Sequence, residues 1–333
     1  MTSELTNKRI LVTGGAGFIG SNLCEFLISS GSKVRCLDNF STGRKSNIIN
    51  LLTNKNFEII EGDIINLDTC LAACNDIDYV LHHAALGSVP RSVKDPILTN
   101  SVNISGFLNM LVASKKNKVK RFIYAASSST YGDSQNLPKI ETIIGNPLSP
   151  YAITKYVNEL YALNFNKLYN IDTVGFRYFN VFGQKQDPNG PYAAVIPKFI
   201  NSFLNLNSPT INGDGYHSRD FTYVENVIEI NVLAMLTKNK SALNQVYNVA
   251  CGKRINLNEL AGGIRNSLVK YNPLINDIDV IHGKERDGDV KHSLASIQKA
   301  NDLLNYSPKY DFIQGLKKTI PWYVKNHEIS KNK

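Results

Sequence analysis

Three features are scarce or missing in this sequence, and each shortage excludes a class of protein. Cysteine is scarce, since five among 333 residues are too few, and odd in number, for a disulfide scaffold, so we expect reduced thiols. Long hydrophobic runs are missing, because no stretch approaches the ~18 apolar residues of a membrane-spanning helix. Residues 1–9 are polar and lack the apolar segment of a signal peptide. Together these shortages predict a cytoplasmic protein.

The charge balance is basic, with 37 Lys and Arg against 28 Asp and Glu and a net charge of +9. Such a surplus suits a nucleic acid, a membrane surface or an anionic small molecule. The densest basic run, residues 115–121, closes a helical pattern without interleaved aromatic residues, which favours a solvated helix end. Cys70 and Cys74 share a helix face, but no further His or Cys pair completes a zinc set. We therefore predict no nucleic-acid partner, no membrane partner and no bound metal.

Short β-branched runs alternate with amphipathic helical patterns through the first half of the chain. The runs are nearly continuously apolar, as in strands that are buried on both faces of a parallel sheet. The predicted strands span residues 9–13, 34–38, 57–61, 79–82, 121–126 and 173–179. Alternation of strand and helix predicts an α/β fold with a Rossmann-type doubly wound parallel sheet. After about residue 180 the pattern becomes irregular, which indicates a smaller C-terminal α/β lobe on the carboxyl edge of the sheet.

Glycines lie between the first predicted strand and the helix that follows it. Gly14, Gly17 and Gly20 have the G-x-x-G-x-x-G spacing at which backbone can approach a pyrophosphate. The N–H groups and the positive dipole end of the helix then face the phosphates. The strand–glycine–helix order therefore predicts a dinucleotide site.

Acidic residues follow at the places where a dinucleotide needs them. Asp38 ends the second strand 18 residues after Gly20, where a carboxylate can accept hydrogen bonds from both adenosine ribose hydroxyls. It would repel a 2′-phosphate, which favours NAD over NADP, although Arg44 and Lys45 lie nearby. Asp63 follows the third strand and is placed either to contact adenine or to cap a helix.

A second pattern carries proton-transfer chemistry. Ser149 is a good N-cap and Pro150 suits a first helical position, which predicts a helix start. Tyr151 and Lys155 are then one turn apart and share a face. A free phenol has a pKa of ~10, so service as a base near neutral pH needs a decrease of ~3 units. One ammonium ~4 Å away, at an effective dielectric of ~20, supplies about that much.

Hydroxyl groups follow the fifth predicted strand, in the segment Ser-Ser-Ser-Thr-Tyr-Gly (127–132). This segment lies at the carboxyl edge of the predicted sheet, where a nicotinamide is expected. A tyrosine base, a lysine that tunes it and a serine that orients the substrate hydroxyl suit hydride transfer at a secondary alcohol.

With these motifs the chain resembles the extended short-chain dehydrogenases/reductases, specifically the nucleotide-sugar 4-epimerases, over residues 8–326. The matching segments are Thr-Gly-Gly-Ala-Gly-Phe-Ile-Gly (13–20), His-Ala-Ala-Leu (83–86), Ser-Pro-Tyr-Ala-Ile-Thr-Lys (149–155), Arg-Tyr-Phe-Asn-Val-Phe-Gly (177–183), Ser-Arg-Asp-Phe-Thr-Tyr-Val (218–224) and Asp-Gly-Asp-Val (287–290). The resemblance implies an NAD-binding Rossmann domain over residues 1–180, with later segments returning to it. It implies a mainly UDP-sugar-binding lobe over residues 181–330.

Further segments resemble one subgroup, the bacterial UDP-N-acetylglucosamine 4-epimerases of O-antigen and capsule synthesis. They are Leu-Gly-Ser-Val-Pro-Arg-Ser (86–92), Gln-Asp-Pro-Asn-Gly (186–190), Tyr-Ala-Ala-Val-Ile-Pro-Lys (192–198) and Lys-His-Ser-Leu-Ala (291–295). The resemblance implies conversion of UDP-GlcNAc to UDP-GalNAc through a 4-keto sugar, with NAD as the retained cofactor. It also implies a homodimer joined by helices near residues 97–116 and 150–168.

Site residues are implied by the resemblance position by position. Tyr151 matches the catalytic base, Lys155 its partner and Ser127 the hydroxyl that binds the sugar O4; Ser128 or Ser129 could share that work. The implied cofactor contacts are Gly14, Gly17, Phe18, Ile19, Asp38, Asn39, Ser41, Thr42, Gly43, Asp63, Ile64, Ala85, Tyr151, Lys155 and Tyr178. The implied substrate contacts are Gly87, Ser88, Ser128, Ser129, Asn180, Ala194, Val195, Arg219, Arg286, Asp289 and Ser293.

Several of these positions have a specific role in the resemblance. Asn180, Arg219 and Arg286 match positions that hold the nucleotide diphosphate, which two guanidinium groups suit well. Asp289 matches a ribose contact.

The sugar pocket is implied to be wide. Ser293 stands where other epimerases of the family place a tyrosine, and it leaves room for a 2-acetamido group. Gly87 and Ala194 are small and suit the same pocket, and His292 beside Ser293 can contact the substrate.

Other reactions of the family stay open. A UDP-GlcNAc uronic acid 4-epimerase or a UDP-glucose/UDP-galactose 4-epimerase would use the same residues. A 4,6-dehydratase or a decarboxylase is disfavoured, because Ser128 and Ser129 stand where those enzymes carry acidic residues. A non-catalytic NAD-binding protein is disfavoured because both Tyr151 and Lys155 are present.

Overall fold

A seven-stranded sheet forms the centre of the computed structural model, which describes residues 2–189, 193–285 and 291–331. In chain order the strands are β1 (Arg9–Thr13), β2 (Lys33–Asp38), β3 (Phe57–Glu61), β4 (Tyr79–His82), β5 (Arg121–Ser127), β6 (Asp172–Tyr178), β7 (Val181–Phe182), β8 (Thr210–Asn212), β9 (Ser218–Arg219), β10 (Thr222–Tyr223), β11 (Gln245–Val249), β12 (Ile255–Asn256) and β13 (Ile281–Gly283). The helices are α1 (Thr2–Leu5), α2 (Phe18–Ser29), α3 (Leu67–Cys74), α4 (Val89–Lys94), α5 (Pro96–Asn100), α6 (Phe107–Lys116), α7 (Pro150–Tyr169), α8 (Val195–Leu204), α9 (Val224–Leu236), α10 (Leu257–Leu268), α11 (Gln298–Leu304) and α12 (Phe312–Lys331). A π-helical segment, Ser101–Gly106, joins α5 to α6.

The central sheet has the strand order β11-β6-β5-β4-β1-β2-β3, and every neighbouring pair is parallel. The predicted Rossmann-type α/β fold is confirmed. All six predicted strands are present, and no end differs from its prediction by more than one residue. The seventh strand, β11, pairs with β6 and comes from the irregular second half of the chain.

Hydrophobic layers cover both faces of the sheet, which explains why its strands are continuously apolar. On one face Leu23 of α2 and Val227 of α9 are fully buried against the strands. On the other face Cys70 of α3, Met110 of α6 and Phe165 of α7 pack in the same way. The sheet is therefore a rigid platform whose carboxyl edge carries the candidate site.

A third hydrophobic core belongs to the C-terminal lobe. Helices α8, α10 and α12 pack around buried residues such as Phe199, Ile264 and Leu316. The described part of the lobe contains three two-stranded sheets, β7 with β10, β9 with β12 and β8 with β13. Within the second half, α9 and β11 pack on the central sheet. The division of functions between residues 1–180 and 181–330 stays a prediction.

Across the described ranges, no helix has both the length and the apolar character that a membrane crossing requires.

Candidate active site

The glycine loop bends sharply between β1 and α2. Gly14 has a φ of +66°, and a Cβ there would lie 2.7 Å from the main-chain nitrogen of Ala84, so only glycine fits. The N–H of Gly17 donates to the carbonyl oxygen of Gly14 at 3.0 Å, and α2 begins at the next residue, Phe18. No side chain caps this helix end, which leaves its N–H groups for an anion. The loop therefore fits a pyrophosphate.

The carboxylate of Asp38 is fixed at the end of β2. It accepts hydrogen bonds from the N–H of Ala16 at 2.9 Å and from the N–H of Phe40 at 2.8 Å. Burial raises its pKa despite these two donors. A Cβ on Gly43 would lie 2.8 Å from the nearer carboxylate oxygen, so glycine is required beside it. The acid is thus held rigidly where a ribose is expected.

A cleft beside Asp38 collects many of the predicted cofactor contacts. Its lining comprises Leu37, Asp38, Asn39, Ser41, Thr42, Gly62, Asp63, Ile64, Ala84, Ala85, Leu86 and Val102. The amide of Asn39 donates to the Asp63 carboxylate at 2.7 Å, across the cleft floor. Helix α3 is capped by Asn66, so Asp63 is not the cap of that helix. The cleft and the glycine loop together fit an adenine dinucleotide.

The basic residues near Asp38 each have an acidic partner. Arg44 forms an ion pair with Asp187, and Lys45 lies 3.0 Å from a carboxylate oxygen of Glu61. These pairs occupy the two cations that could otherwise receive a 2′-phosphate, which agrees with a preference for NAD.

The proton-transfer residues lie at the carboxyl end of β5 and the start of α7. The Ser149 hydroxyl accepts a hydrogen bond from the N–H of Ala152 at 3.1 Å, and Pro150 is the first helical residue, as predicted. Lys155 donates to the carbonyl oxygen of Ala125 in β5 at 2.7 Å. Its Nζ lies 5.9 Å from the centre of the Tyr151 ring. Helix α7 and strand β5 thus bring the predicted base and its partner together.

Burial dominates the electrostatics of this pair. It raises the pKa of Tyr151, and hydrogen bonding with Ser127 only partly opposes the increase. It also lowers the pKa of Lys155 to about 8. The expectation that one ammonium ~4 Å away lowers the phenol pKa by itself is therefore wrong. The ammonium is hydrogen-bonded to a carbonyl and removed from water, so the tyrosine needs a further positive charge to ionise.

The serine segment after β5 is internally hydrogen-bonded. The Ser127 hydroxyl accepts hydrogen bonds from the N–H of Ser129 at 3.1 Å and from its hydroxyl at 2.9 Å. Ser127 pairs in register with Tyr178 at the carboxyl end of β6. Ser129 therefore fixes the direction of the Ser127 hydroxyl, while Ser128 is half-buried beside it.

His83, the first residue of the His-Ala-Ala-Leu segment, lies near the serine segment. The His83 ring stacks on Tyr178 with centroids 6.0 Å apart and 16° between planes. Burial lowers the pKa of His83 to about 3, and hydrogen bonding with the Asn231 side chain only partly opposes the decrease. The amide of Asn231 donates to the Tyr178 hydroxyl at 2.8 Å.

The predicted diphosphate contacts meet in the C-terminal lobe. Asn180, at a φ of +35°, donates from its side chain to the carbonyl oxygen of Asp220 at 3.1 Å. The Arg219 guanidinium donates to the carbonyl oxygens of Ser218 and Lys291 at 3.1 and 3.2 Å. The N–H of Ser293 donates to the Ser218 oxygen at 3.0 Å. Asn180, Arg219 and Ser293 are thus neighbours, as the resemblance implies.

Small residues are found at several of the other predicted substrate contacts. A Cβ added to Gly87 would meet no atom within 4 Å, so this residue faces open space. Ser88 has a φ of +97° and accepts from the N–H of Arg91 as the N-cap of α4. Ala194 caps α8, whose first residue is Val195.

Two predicted contacts, Arg286 and Asp289, lie outside the described residues.

A buried ion pair holds α7 to β6 one turn beyond Lys155. Glu159 and Arg177 form a bidentate pair at 2.9 and 2.7 Å, and their side chains are 7% and 4% exposed. Arg177 also donates to the carbonyl oxygen of Glu141 at 3.1 Å and lies 4.8 Å from the centre of the Tyr131 ring. Sequence reasoning missed this pair, although Glu159 follows Lys155 at a spacing of four on the same helix face.

The cysteines are free, and in the part of the chain that the structure describes no group of three His, Cys, Asp or Glu side chains could hold a metal ion.

Comparison with known proteins extends the sequence resemblance. Residues 10–250 match the NAD dependent epimerase/dehydratase family. The chain is similar to a UDP-N-acetylglucosamine 4-epimerase from Methanobrevibacter ruminantium M1, solved with UDP-N-acetylmuramic acid, at 42% identity and a TM-score of 0.90 over 96% of this chain and 99% of that one. It is also similar to a UDP-glucose 4-epimerase from Thermotoga maritima with UDP-glucose, at 35% identity and a TM-score of 0.87 over 96% and 99%. A UDP-glucuronic acid 4-epimerase from Bacillus cereus with NAD and UDP-glucuronic acid has 33% identity and a TM-score of 0.85 over 96% and 99%.

Proposed function

We propose, because this chain belongs to the NAD dependent epimerase/dehydratase family, that it inverts C4 of UDP-N-acetylhexosamines, converting UDP-GlcNAc to UDP-GalNAc. The predicted cofactor, NAD, is that of the family. One observation carries the proposal: Tyr151, Lys155 and Ser127 converge at the sheet edge that also carries the glycine loop.

Each residue of this trio has a distinct part in the proposed reaction. Tyr151 takes the proton of the sugar C4 hydroxyl, and Ser127 hydrogen-bonds the same oxygen. NAD, held by the glycine loop and Asp38, would supply a positively charged ring that takes up the C4 hydride and later returns it to the opposite face of the sugar. Tyr151 would return its proton to the oxygen after the 4-keto sugar has turned about its bond to the diphosphate.

Burial also determines the charge of Lys155 beside the tyrosine. Its pKa of about 8 leaves it largely protonated at neutral pH, so it contributes positive potential near the phenol. Since burial raises the pKa of Tyr151, ionisation has to depend on the cofactor charge as well as on Lys155. We therefore expect the tyrosine to act as a base only in the cofactor-loaded protein.

Room around the sugar supports the acetylated substrate. Gly87 faces open space, and Ser293 is a small, half-buried residue beside the predicted diphosphate contacts. A tyrosine at residue 293 would occupy the volume that a 2-acetamido group needs. Ser128 and Ser129 offer no acid for the elimination step of a dehydratase.

The test is a panel of UDP-sugars with purified protein and no added NAD. UDP-GlcNAc, UDP-GlcNAc uronic acid, UDP-glucose and UDP-glucuronic acid are incubated side by side, and the C4 epimers are separated by chromatography. We expect UDP-GalNAc from UDP-GlcNAc at the highest kcat/KM. A faster reaction with either uronic acid or with UDP-glucose would make that sugar the proposed substrate instead. Purified protein that contains no dinucleotide would contradict the proposal that NAD stays bound.

A homodimer is the proposed assembly. Helices α4, α5 and α7 contact one another and carry apolar side chains that are solvent-exposed in the single chain, among them Val93 (64%), Ile97 (81%), Ile153 (50%) and Leu160 (50%). A patch of this kind is unusual on a monomer and suits a second copy of the chain. Leu160→Lys should halve the mass in sedimentation equilibrium, whereas Leu52→Lys, at a similarly exposed leucine (52%), should not. An unchanged mass in both would contradict this interface.

The cytoplasmic location and the role in O-antigen or capsule synthesis stay predictions from the sequence.

A further inference from the structure

A fully buried carboxylate, that of Asp220, joins separate segments of the C-terminal lobe. It accepts hydrogen bonds from the N–H groups of Cys251 at 2.9 Å and Gly252 at 3.0 Å, just after β11. It also accepts from the N–H of Ala295 at 3.4 Å. Cys251 and Ala295 lie 31 and 75 residues away in the chain. One side chain therefore connects the loop after β11 to the segment of Ala295, and the Asn248 side chain, which donates to the Ser296 carbonyl oxygen at 3.0 Å, connects the same two regions.

The same residue adjoins Asn180 and Arg219, the two described diphosphate contacts, and the segment that carries Ser293. Its carbonyl oxygen accepts from the Asn180 side chain at 3.1 Å, and Arg219 precedes it. Ser293 lies two residues before Ala295 and donates to the Ser218 oxygen at 3.0 Å. Displacement of the Asp220 carboxylate would thus shift these residues relative to one another.

Burial disfavours the charged form of this carboxylate in the folded protein. It raises the pKa of Asp220 to about 6, although the donors that contact the carboxylate are all backbone N–H groups, which favour the charged form. An acid whose pKa is higher in the folded than in the unfolded protein loses stability as pH increases between the two values. At neutral pH the charge therefore opposes folding, and its retention needs another explanation.

We propose that Asp220 is a positioning residue for substrate: its carboxylate holds the segment of Ser293 and Ala295 against Arg219 and Asn180, so that these residues face one nucleotide sugar. The proposal rests on the proposed function, from which the roles of Arg219, Asn180 and Ser293 come. It adds a residue that contacts no reacting atom and acts only through the others.

Protonation of the Asp220 carboxylate at acidic pH tests its proposed positioning role. A neutral carboxyl accepts fewer hydrogen bonds, and the longest contact, to the N–H of Ala295, should loosen first. Among the groups that face Asp220, burial raises the pKa of Cys251 to about 12 and that of Tyr306 well above its usual value, so both stay neutral. Burial lowers the pKa of His292, near Arg219, and protonation of this side chain as pH falls would strengthen diphosphate binding. Weaker binding at low pH therefore has the sign that only the carboxylate predicts.

The experiment measures binding rather than turnover. Tyr151→Phe protein is titrated with UDP-GlcNAc and with UDP-glucose by calorimetry from about pH 5 to about pH 8; their phosphates do not titrate in this interval. We expect Kd to be about tenfold higher at the acidic end for both ligands. In Tyr151→Phe with Asp220→Asn, Kd should be raised at neutral pH and nearly independent of pH. Asp277→Asn, at an exposed acid of the same lobe, should keep the pH dependence of the parent.

The outcomes separate the two proposals. Binding at neutral pH whose affinity is unchanged or tighter at acidic pH overturns the role of Asp220 and leaves the proposed function intact. No binding of either ligand at neutral pH overturns both. If Asp220→Asn does not fold, the pH dependence of the parent protein alone decides, together with amide exchange at Ala295. The protection factor of this amide, which corrects for slower intrinsic exchange at acidic pH, should decrease below about pH 6.

Discussion

The proposed catalytic residues and the predicted substrate contacts are held by different kinds of structure. Ser127 ends a central strand and Tyr151 lies in the first turn of the helix that packs on it, so regular elements fix both. Arg219 and Ser293 instead lie in a lobe of two- and three-residue strands, where side chains bind backbone groups far away in sequence. The first region, the central sheet with its helices, is a rigid frame. The second region, the C-terminal lobe, consists of loops that a few polar hydrogen bonds hold together.

This difference suggests how each region responds to substitution. In the frame, many backbone hydrogen bonds and two apolar layers maintain geometry, so a single change should alter chemistry or the stability of the whole sheet. In the lobe, a single change should alter affinity or substrate range while the fold persists. The predictions below test that separation, beginning with the largest effect.

Removal of the proposed base should have the largest effect. Tyr151→Phe lacks the oxygen that takes the C4 proton, and we expect kcat to fall by about 10³-fold or more with the fold unchanged. The kcat is measured as epimerisation of UDP-GlcNAc, and the fold is checked by circular dichroism. Tyr169→Phe, at the exposed end of the same helix, is the matched control and should retain activity. Full activity in Tyr151→Phe would remove the tyrosine from the mechanism.

Breaking the buried ion pair should come next, as a test of the frame. Arg177→Met leaves the Glu159 carboxylate buried without its partner, and we expect the free energy of unfolding to fall by about 3–5 kcal/mol. Urea denaturation measures this change. The double variant with Glu159→Gln should recover part of the loss, because no buried charge is then left unpaired. A single variant as stable as the parent would show that the frame does not depend on this pair.

Replacement of Lys155 should have the opposite effect on stability from replacement of Arg177. The folded Lys155 pKa of about 8 lies below the usual 10.5, so the folded protein binds fewer protons than the unfolded chain and gains stability as pH rises between those values. The shift corresponds to roughly 3 kcal/mol of lost stability at neutral pH. Lys155→Met should therefore be inactive yet as stable as the parent, or more so, near neutral pH. In denaturation at high pH this advantage should shrink, and an advantage independent of pH would contradict the assignment.

The smallest effect is expected in the lobe. Ser293→Tyr should reduce kcat/KM for UDP-GlcNAc by about 10–200-fold and spare UDP-glucose, since it only fills space. Ser293→Ala adds no bulk and should leave both substrates nearly unchanged. Equal activity of Ser293→Tyr on both sugars would show that this residue does not control the pocket.

The same division explains what the sequence could predict. Strand ends came within one residue because apolar runs bounded by polar residues mark strands buried on both faces. The start of α7 followed from Ser149 and Pro150, and the glycine loop from its spacing. These signals are local, so one sequence suffices to find them.

The features that the sequence did not predict depend on contacts between residues that are far apart in the chain. Strand β11 is short and partly polar, and a long segment of the chain separates it from β6, with which it pairs. The sign of the Tyr151 pKa shift follows from burial, which helix spacing does not give. The position of Asp220 was part of a recognised motif, but its contacts with Cys251 and Ala295 exist only in three dimensions.

Strand β11 also limits how such a protein can be divided or recombined. Because the outer neighbour of β6 is supplied by the second half of the chain, a fragment ending near residue 180 would present a bare strand edge, the type of surface on which chains aggregate. It would also lose α9, whose apolar residues cover one face of the sheet. Chimeras that exchange sugar-binding parts between relatives must therefore keep the parental 224–249 segment and graft the loops on either side of it.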